Sequence, residues 1–131
     1  MAGRTTLITG GNSGIGAAIA QRLLAAGEAV VSLGLELPGW EHEKLSGYAA
    51  DLTDAAATAE IAARIAAEHR ISALVHNAGM ILPNLIADAK PEDVLTLAQL
   101  HLAAPLVLTQ AMLHGMKESG QGRILFISSR A

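Results

Sequence analysis

The stretch Thr9-Gly10-Gly11-Asn12-Ser13-Gly14-Ile15-Gly16 lies between the apolar run Thr6-Leu7-Ile8 and an alanine-rich segment. A strand, a glycine-rich turn and a helix, in that order, form the usual context for binding a dinucleotide. Glycine lets the backbone turn sharply and approach a pyrophosphate, because no Cβ stands in the way. The helix that follows directs its free N–H groups and the positive end of its dipole at the phosphates. The segment therefore predicts a phosphate-binding turn.

Length and composition favour a single domain over residues 1–131. Of the 131 residues, 51% are hydrophobic and 16% are charged, so the chain can bury a core and is not a disordered polypeptide. The chain has one Phe, one Trp and one Tyr. We therefore expect a core of Ala, Leu, Ile and Val, as in buried parallel strands. The absence of cysteine excludes disulfides and thiolate metal sites, and we predict no metal site. A net charge of −3 without a Lys/Arg cluster argues against a nucleic-acid partner.

Residues 94–113 contain no Asp, Glu, Lys or Arg and have about the ~20-residue length of a membrane span. The segment also holds residues that are costly or unusual in lipid, namely Thr96, Gln99, His101, Pro105, Thr109 and Gln110. We therefore expect no membrane association, but a helix buried between a sheet and a partner subunit. No signal peptide precedes the first strand, which favours a cytoplasmic location.

Strand and helix signals alternate along the chain, which favours a doubly wound, Rossmann-type α/β fold with helices on both faces of a parallel sheet. Strands are predicted at residues 5–9, 29–33, 47–50, 73–76 and 123–127. Helices are predicted at residues 14–26, 55–69 and from 91 to 117–120, and a loop with Pro38, Gly39 and Trp40 follows the second strand. Right-handed crossovers then give the strand order 3-2-1-4-5.

The carboxyl ends of four predicted strands carry small and polar residues. They are the turn 9–16, Asp51, the tripeptide 77–79 and the serine pair 128–129. In this fold ligands bind where the strand order reverses, here between the first and fourth strands. Convergence of four strand ends on one crevice indicates a ligand site more strongly than any single motif.

In this arrangement the chain resembles the single-domain short-chain dehydrogenases/reductases. Their T-G-x-x-x-G-x-G motif is matched by residues 9–16, and their D-L-T and N-A-G motifs by residues 51–53 and 77–79. Residues 101–111 resemble the central helix, and residues 122–129 resemble the fifth strand with the active-site serine. The resemblance implies hydride transfer between NAD(P) and a small alcohol or carbonyl substrate. It also implies a homo-oligomer that pairs through the helix resembling residues 94–113.

The motifs assign cofactor binding to residues at three strand ends and in the turn. These are Gly10, Asn12, Ser13, Gly14, Ile15 and Gly16, then Glu36, and then Asp51, Leu52, Asn77, Ala78 and Gly79. Asp51 is expected near the adenine, with a helix cap or a surface acid as the alternatives. Asn77 is expected near the cofactor, with an Asx-turn as the alternative or additional role. An acid after the second strand would hold the ribose hydroxyls of NAD, and no cation stands there for the extra phosphate of NADP. Glu36 therefore favours NAD, and NADP stays open.

In the resembling family a tyrosine and a lysine carry the acid/base step, a serine hydrogen-bonds the reacting oxygen, and a helical asparagine holds a relay water. Ser129 matches the serine, with Ser128 as the reserve, and His101 occupies the asparagine position. Pro105 has no N–H for the carbonyl of His101 four residues earlier, so we expect a kink and a free carbonyl that can hold a water. The Y-x-x-x-K motif would fall beyond residue 131. Tyr48 has Leu52 four positions on, so it cannot replace that motif.

Three interpretations stay open at this point. The first is an oxidoreductase of the short-chain type whose cofactor-binding part is residues 1–131, lacking the last family strands. Its remaining segment would lie on a second polypeptide or be lost by cleavage. The second is a non-catalytic dinucleotide-binding or regulatory module. The third is a fragment with no independent fold. The residues do not identify the substrate.

Overall fold

The computed structural model describes residues 3–129, which form a five-stranded sheet in the order β3-β2-β1-β4-β5. Every pair of neighbouring strands is parallel, so the predicted topology is confirmed. The strands are β1 (Thr5–Thr9), β2 (Ala29–Gly34), β3 (Leu45–Ala49), β4 (Ala73–His76) and β5 (Arg123–Phe126). The α-helices are α1 (Gly14–Ala25), α2 (Ala55–Glu68), α3 (Pro91–Ala98) and α4 (Ala104–Ser119).

Local chemistry sets the helix ends. The carboxylate of Asp54 accepts a hydrogen bond from the amide of Ala57 at 3.0 Å and so caps α2. Gly27 and Gly120 follow α1 and α4 with positive φ angles of 86° and 70°, a conformation that costs glycine little. Pro91 begins α3, where its missing N–H is not needed.

The long helix predicted from Pro91 is interrupted by a π-helical turn at Gln99–Ala103. The amide of Ala104 bonds the carbonyl of Gln99, five residues earlier, where an α-helix would use a four-residue step. We attribute this wider turn to the next residue, Pro105, because it has no N–H to donate to the carbonyl of His101. Such widened turns are frequent at functional sites.

Two other elements differ from the prediction by more than one residue at an end. β3 begins at Leu45, two residues before the predicted start, because Leu45 pairs with Val30 and packs on the α1 side of the sheet. A short 3₁₀ turn, Ile86–Asp88, lies in the connection between β4 and α3, where no element was predicted.

Alternating side chains of the strands build a core on each face of the sheet. Ile8 of β1 packs on the α1 side with Ala20 and Leu24. Its neighbour Leu7 packs on the opposite side with residues of α2 and α4, among them Ile65. All of these side chains are buried. The sheet is therefore doubly wound, and its carboxyl edge carries the turn 9–16 and the other strand ends.

The helical stretch Pro91–Ser119 is long and apolar enough to cross a membrane, by length and composition alone. The core helix of a domain meets the same criteria. One side of this stretch packs on the sheet and is buried at Leu100, Ala104, Leu108, Met112 and Met116. On the opposite side Leu95, Leu102 and Leu106 are 70%, 71% and 58% exposed. The stretch is therefore a core helix with a second, exposed apolar side.

Candidate cofactor site and active site

The glycine turn after β1 is closed too tightly for a side chain at Gly16. An ideal Cβ on Gly16 would lie 2.1 Å from the carbonyl oxygen of Gly10, so α1 begins in direct contact with the turn. Gly10 and Gly14 have positive φ angles of 69° and 54°, which other residues adopt only with strain. A Cβ on Gly14 would meet no atom within 4 Å, so this part of the turn faces open space.

The N-terminus of α1 is open to an anion. Ser13 precedes the helix in an extended conformation, and its side chain makes no cap hydrogen bond within residues 3–129. The first turn of α1 carries no acidic side chain. Its first amides have no partner in the helix and lie at the positive end of the dipole. Ile15, 61% exposed, stands beside them.

The ends of β1 and β4 are joined through side chains. The hydroxyl oxygen of Thr9 accepts hydrogen bonds from the amides of Asn77 and Ala78, at 3.0 and 2.9 Å. The side-chain amide of Asn77 donates in turn to the carbonyl of Gly10 at 3.2 Å. Asn77 thus braces the glycine turn from the neighbouring strand, at the point where the strand order reverses.

Asp51 and Leu52 follow β3 with different environments. Asp51 is exposed, and one of its oxygens accepts from the hydroxyl of Thr53 at 2.6 Å and from its amide at 2.9 Å. These hydrogen bonds lower the pKa of Asp51. The side chain of Leu52 is buried in the core, and its carbonyl accepts from Gln99 at 3.2 Å. Leu52 can therefore offer a cofactor only its main chain.

The side chain of His101, a residue of the π-helical turn, packs against the loop that follows β4. Its imidazole covers Gly79, where an added Cβ would lie 2.9 Å from Cε1 of His101. Nε2 of His101 lies 3.1 Å from the carbonyl oxygen of Met80 and 3.4 Å from its amide nitrogen. The exposed histidine thus joins the π-helical turn to the N-A-G segment.

Ser128 and Ser129 extend β5 toward the same edge. The amide of Ile127 donates to the carbonyl of His76 at 3.0 Å, so the chain beyond β5 continues beside the segment after β4. Both serines are exposed. Tyr48 lies elsewhere, because its hydroxyl bonds Glu68 and, at 2.8 Å, Nε2 of His69 at the end of α2. Burial raises the pKa of Tyr48 to about 12.

No motif in the sequence singles out His76. It ends β4, is only 5% exposed, and stacks on Phe126 at 4.6 Å between ring centres. Nε2 lies 3.1 Å from the hydroxyl of Thr109, and Nδ1 has no hydrogen-bond partner within residues 3–129. Burial lowers the pKa of His76 to about 4, so the imidazole is neutral at pH 7.

His76 should make stability depend on pH. Its pKa is about 4 in the folded protein and 6.5 ordinarily, so between these values the unfolded chain binds a proton that the folded protein does not. The full free energy of unfolding is therefore present above pH 6.5, and up to about 3 kcal/mol of it is lost as the pH falls toward 4. His76→Gln retains an amide for Thr109. Urea unfolding at pH 7 and at pH 4.5 should show that this variant loses less free energy of unfolding between the two pH values than the wild type does. Equal losses in the two proteins would contradict the assignment.

Comparison with known proteins is consistent with this geometry. The short chain dehydrogenase family profile matches residues 4–131, so the chain belongs to that family. Sorbose reductase sou1 of Schizosaccharomyces pombe is 30% identical over an aligned length of 140 residues, gaps included, which covers 97% of this chain and 55% of that protein. A short-chain dehydrogenase structure from Streptomyces avermitilis has a TM-score of 0.88 at 30% identity, covering 98% of this chain and 50% of its own.

A further solved structure contains a cofactor. The 3-oxoacyl (acyl-carrier-protein) reductase from Agrobacterium tumefaciens, with NADP bound, matches with a TM-score of 0.86 at 30% identity, over 97% of this chain and 53% of that chain. This chain spans about half the length of the curated relatives it matches. The match to the family therefore covers the half of those relatives that corresponds to the glycine turn, the N-A-G segment and the π-helical turn of this chain.

Proposed function

We propose that the chain is the NAD(P)-binding Rossmann domain, residues 1–131, of an oxidoreductase of the short-chain type. The observation that carries the proposal is the turn after β1. Gly16 brings α1 against the carbonyl of Gly10, and the uncapped amides of the first helical turn face an open edge of the sheet. A diphosphate fits this arrangement, because it needs several N–H donors and no side chain at the point of closest approach.

The bound nicotinamide would supply or accept a hydride, and the chain's residues would orient it against a small alcohol or carbonyl substrate. Asn77 and Thr9 hold the turn against β4. Asp51 lies at the end of β3, on the side proposed for the adenine, where its lowered pKa keeps it ionised. Of the remaining cofactor residues, Asn12, Ser13, Gly14 and Ile15 belong to the turn, and Leu52, Ala78 and Gly79 offer main-chain groups at the strand ends.

For the chemical step we propose Ser129 as the donor to the reacting oxygen and His101 as the residue of the proton relay. The main-chain carbonyl of His101 would hold the relay water, since Pro105 removes its usual α-helical donor. The chemistry also requires a tyrosine and a lysine. Tyr48 does not serve, because its hydroxyl is held by Glu68 and His69. A segment carrying this pair would accompany the chain as part of a longer protein or as a second polypeptide.

Assembly and cofactor choice belong to the same proposal. The exposed side of α3 and α4, with an open groove of about 430 Å³ between residues such as Leu95 and Leu106, would pair subunits of a homo-oligomer in the cytoplasm. Glu36 follows β2 with no Lys or Arg from residue 34 to 43, which supports NAD over NADP. The relative from Agrobacterium tumefaciens binds NADP.

Calorimetric titration with NADH and NADPH tests the proposal, and intact-mass measurement shows whether a second polypeptide is present. We expect binding of NADH in the micromolar range and weaker binding of NADPH, by about tenfold. Binding without oxidation of any alcohol by protein that includes the tyrosine and lysine segment would favour a non-catalytic module. The absence of binding to either cofactor, in protein shown to be folded by circular dichroism, would refute the proposal.

A further inference from the structure

The connection between β2 and β3 contains no helix. Residues 35–44 are irregular, although parallel strands are usually joined by a longer crossover with a helix. Contacts at three points hold the connection instead. Pro38 lies directly on β3, where a Cβ on Gly47 would be 2.5 Å from its Cδ, and Lys44 donates to the carbonyl of Gly27 at 2.8 Å. The third contact, at the start of the connection, comes from Asn12 in the glycine turn.

Asn12 joins the glycine turn to β2 and to the residue that follows it. Its side-chain oxygen accepts a hydrogen bond from the hydroxyl of Ser32 at 2.9 Å. Its side-chain nitrogen donates to the main-chain carbonyl of Glu36. Ser32 has no exposed surface, so the chain of bonds runs from the core of the sheet to the start of the irregular connection.

Two nearby glycines leave room for the side chains of Asn12 and Ser32. A Cβ on Gly34 would lie 2.6 Å from the side-chain nitrogen of Asn12, and a Cβ on Gly11 would lie 2.4 Å from the hydroxyl oxygen of Ser32. Gly11, Ser32, Asn12 and Gly34 therefore interlock, and the position of the Glu36 main chain follows from the position of the turn.

We propose that Asn12 determines cofactor selectivity by positioning Glu36 beside the adenosine ribose. This inference rests on the proposed function. An anchored main chain lets the Glu36 carboxylate accept from the 2′- and 3′-hydroxyls of NAD without the entropic cost of ordering a free loop. The same carboxylate repels the 2′-phosphate of NADP, and residues 34–43 supply no Lys or Arg to offset that repulsion. Asn12 is thus a positioning residue that acts through Glu36.

A double-mutant cycle tests this. Dissociation constants for NADH and NADPH are measured by calorimetry for the wild type, Asn12→Ala, Glu36→Gln and the double variant. Each single substitution should weaken the affinity for NADH about tenfold, while the affinity for NADPH stays the same or rises by up to about threefold, so that the preference for NADH is lost. In the Asn12→Ala background, Glu36→Gln should change NADH affinity by less than about twofold. Glu43→Gln, a second exposed carboxylate of the same connection, is the matched control and should bind as the wild type does.

The possible outcomes separate the inference from the proposed function. Wild-type protein that binds neither cofactor overturns both. Wild-type protein that prefers NADPH, or an Asn12→Ala variant that keeps the wild-type NADH preference, overturns the inference while the oxidoreductase proposal stands. Equal weakening of both cofactors by Asn12→Ala, or additive effects in the double variant, also overturns it. Asn12→Ser replaces Asn12→Ala if circular dichroism shows that the alanine variant does not fold.

Discussion

Gly16→Ala is expected to lower the affinity for NADH at least about 100-fold and to reduce the free energy of unfolding by about 2–3 kcal/mol. The added Cβ would stand 2.1 Å from the carbonyl oxygen of Gly10 and 2.6 Å from the side-chain nitrogen of Asn77. Gly10 belongs to the turn and Asn77 braces the turn from the end of β4, so α1 must move away from both. The better helix propensity of alanine, worth up to about 1 kcal/mol, does not offset such a clash. The loss of two charge-assisted hydrogen bonds to a diphosphate accounts for the expected decrease in NADH affinity.

Gly115→Ala is the matched control, since it makes the same chemical change inside a helix. An added Cβ at Gly115 would come no closer than 4.0 Å to Cγ of Arg70, so the substitution is free of strain. Alanine should then stabilise α4 by about 0.5–1 kcal/mol and leave NADH affinity unchanged. Calorimetry and urea unfolding measure both quantities. A Gly16→Ala protein with wild-type affinity would show that the turn does not contact the cofactor.

Thr9→Val is expected to reduce the free energy of unfolding by about 2–3 kcal/mol, close to a 10 °C fall in melting temperature. Thr9 is 2% exposed, and valine has nearly the same shape. The substitution removes the one oxygen that accepts from the amides of Asn77 and Ala78. Each amide left without a partner costs about 1 kcal/mol or more. The junction of β1 and β4 should loosen, and NADH affinity should fall with it.

Thr9→Ser separates this effect from packing. Serine keeps the hydroxyl for both amides and loses only a methyl group, at a cost of about 1 kcal/mol. Thermal unfolding of the three proteins gives the comparison. Equal destabilisation by serine and valine would mean that the methyl group, and not the pair of hydrogen bonds, holds the junction.

Local patterns were enough to predict the fold. The bounds of β1 and β4 depend on neighbouring residues, and the structure confirms them. The strand order follows from the handedness of crossovers between parallel strands. β3 was placed two residues late because its start is set by pairing with Val30, which no local pattern of residues reports.

The turn 9–16 and the predicted residues after the strands lie at the carboxyl edge of the sheet, but their contacts were not predictable. The bonds of Asn12 to Ser32 and of Thr9 to Asn77 span 20 and 68 positions in the sequence. The side chain of Leu52 turns into the core while Asp51 beside it faces water, and the motif that named both does not distinguish them. His76 escaped notice because a histidine at a strand end has many possible partners, and its burial depends on Phe126 of another strand.

A crystal structure of the protein with NADH tests the central claim, that the turn 9–16 and the first turn of α1 bind a diphosphate. The diphosphate oxygens should lie about 2.7–3.2 Å from main-chain nitrogens of these residues, with the adenosine ribose next to Glu36. A cofactor bound elsewhere, with no phosphate oxygen within hydrogen-bonding distance of the turn, would contradict the claim.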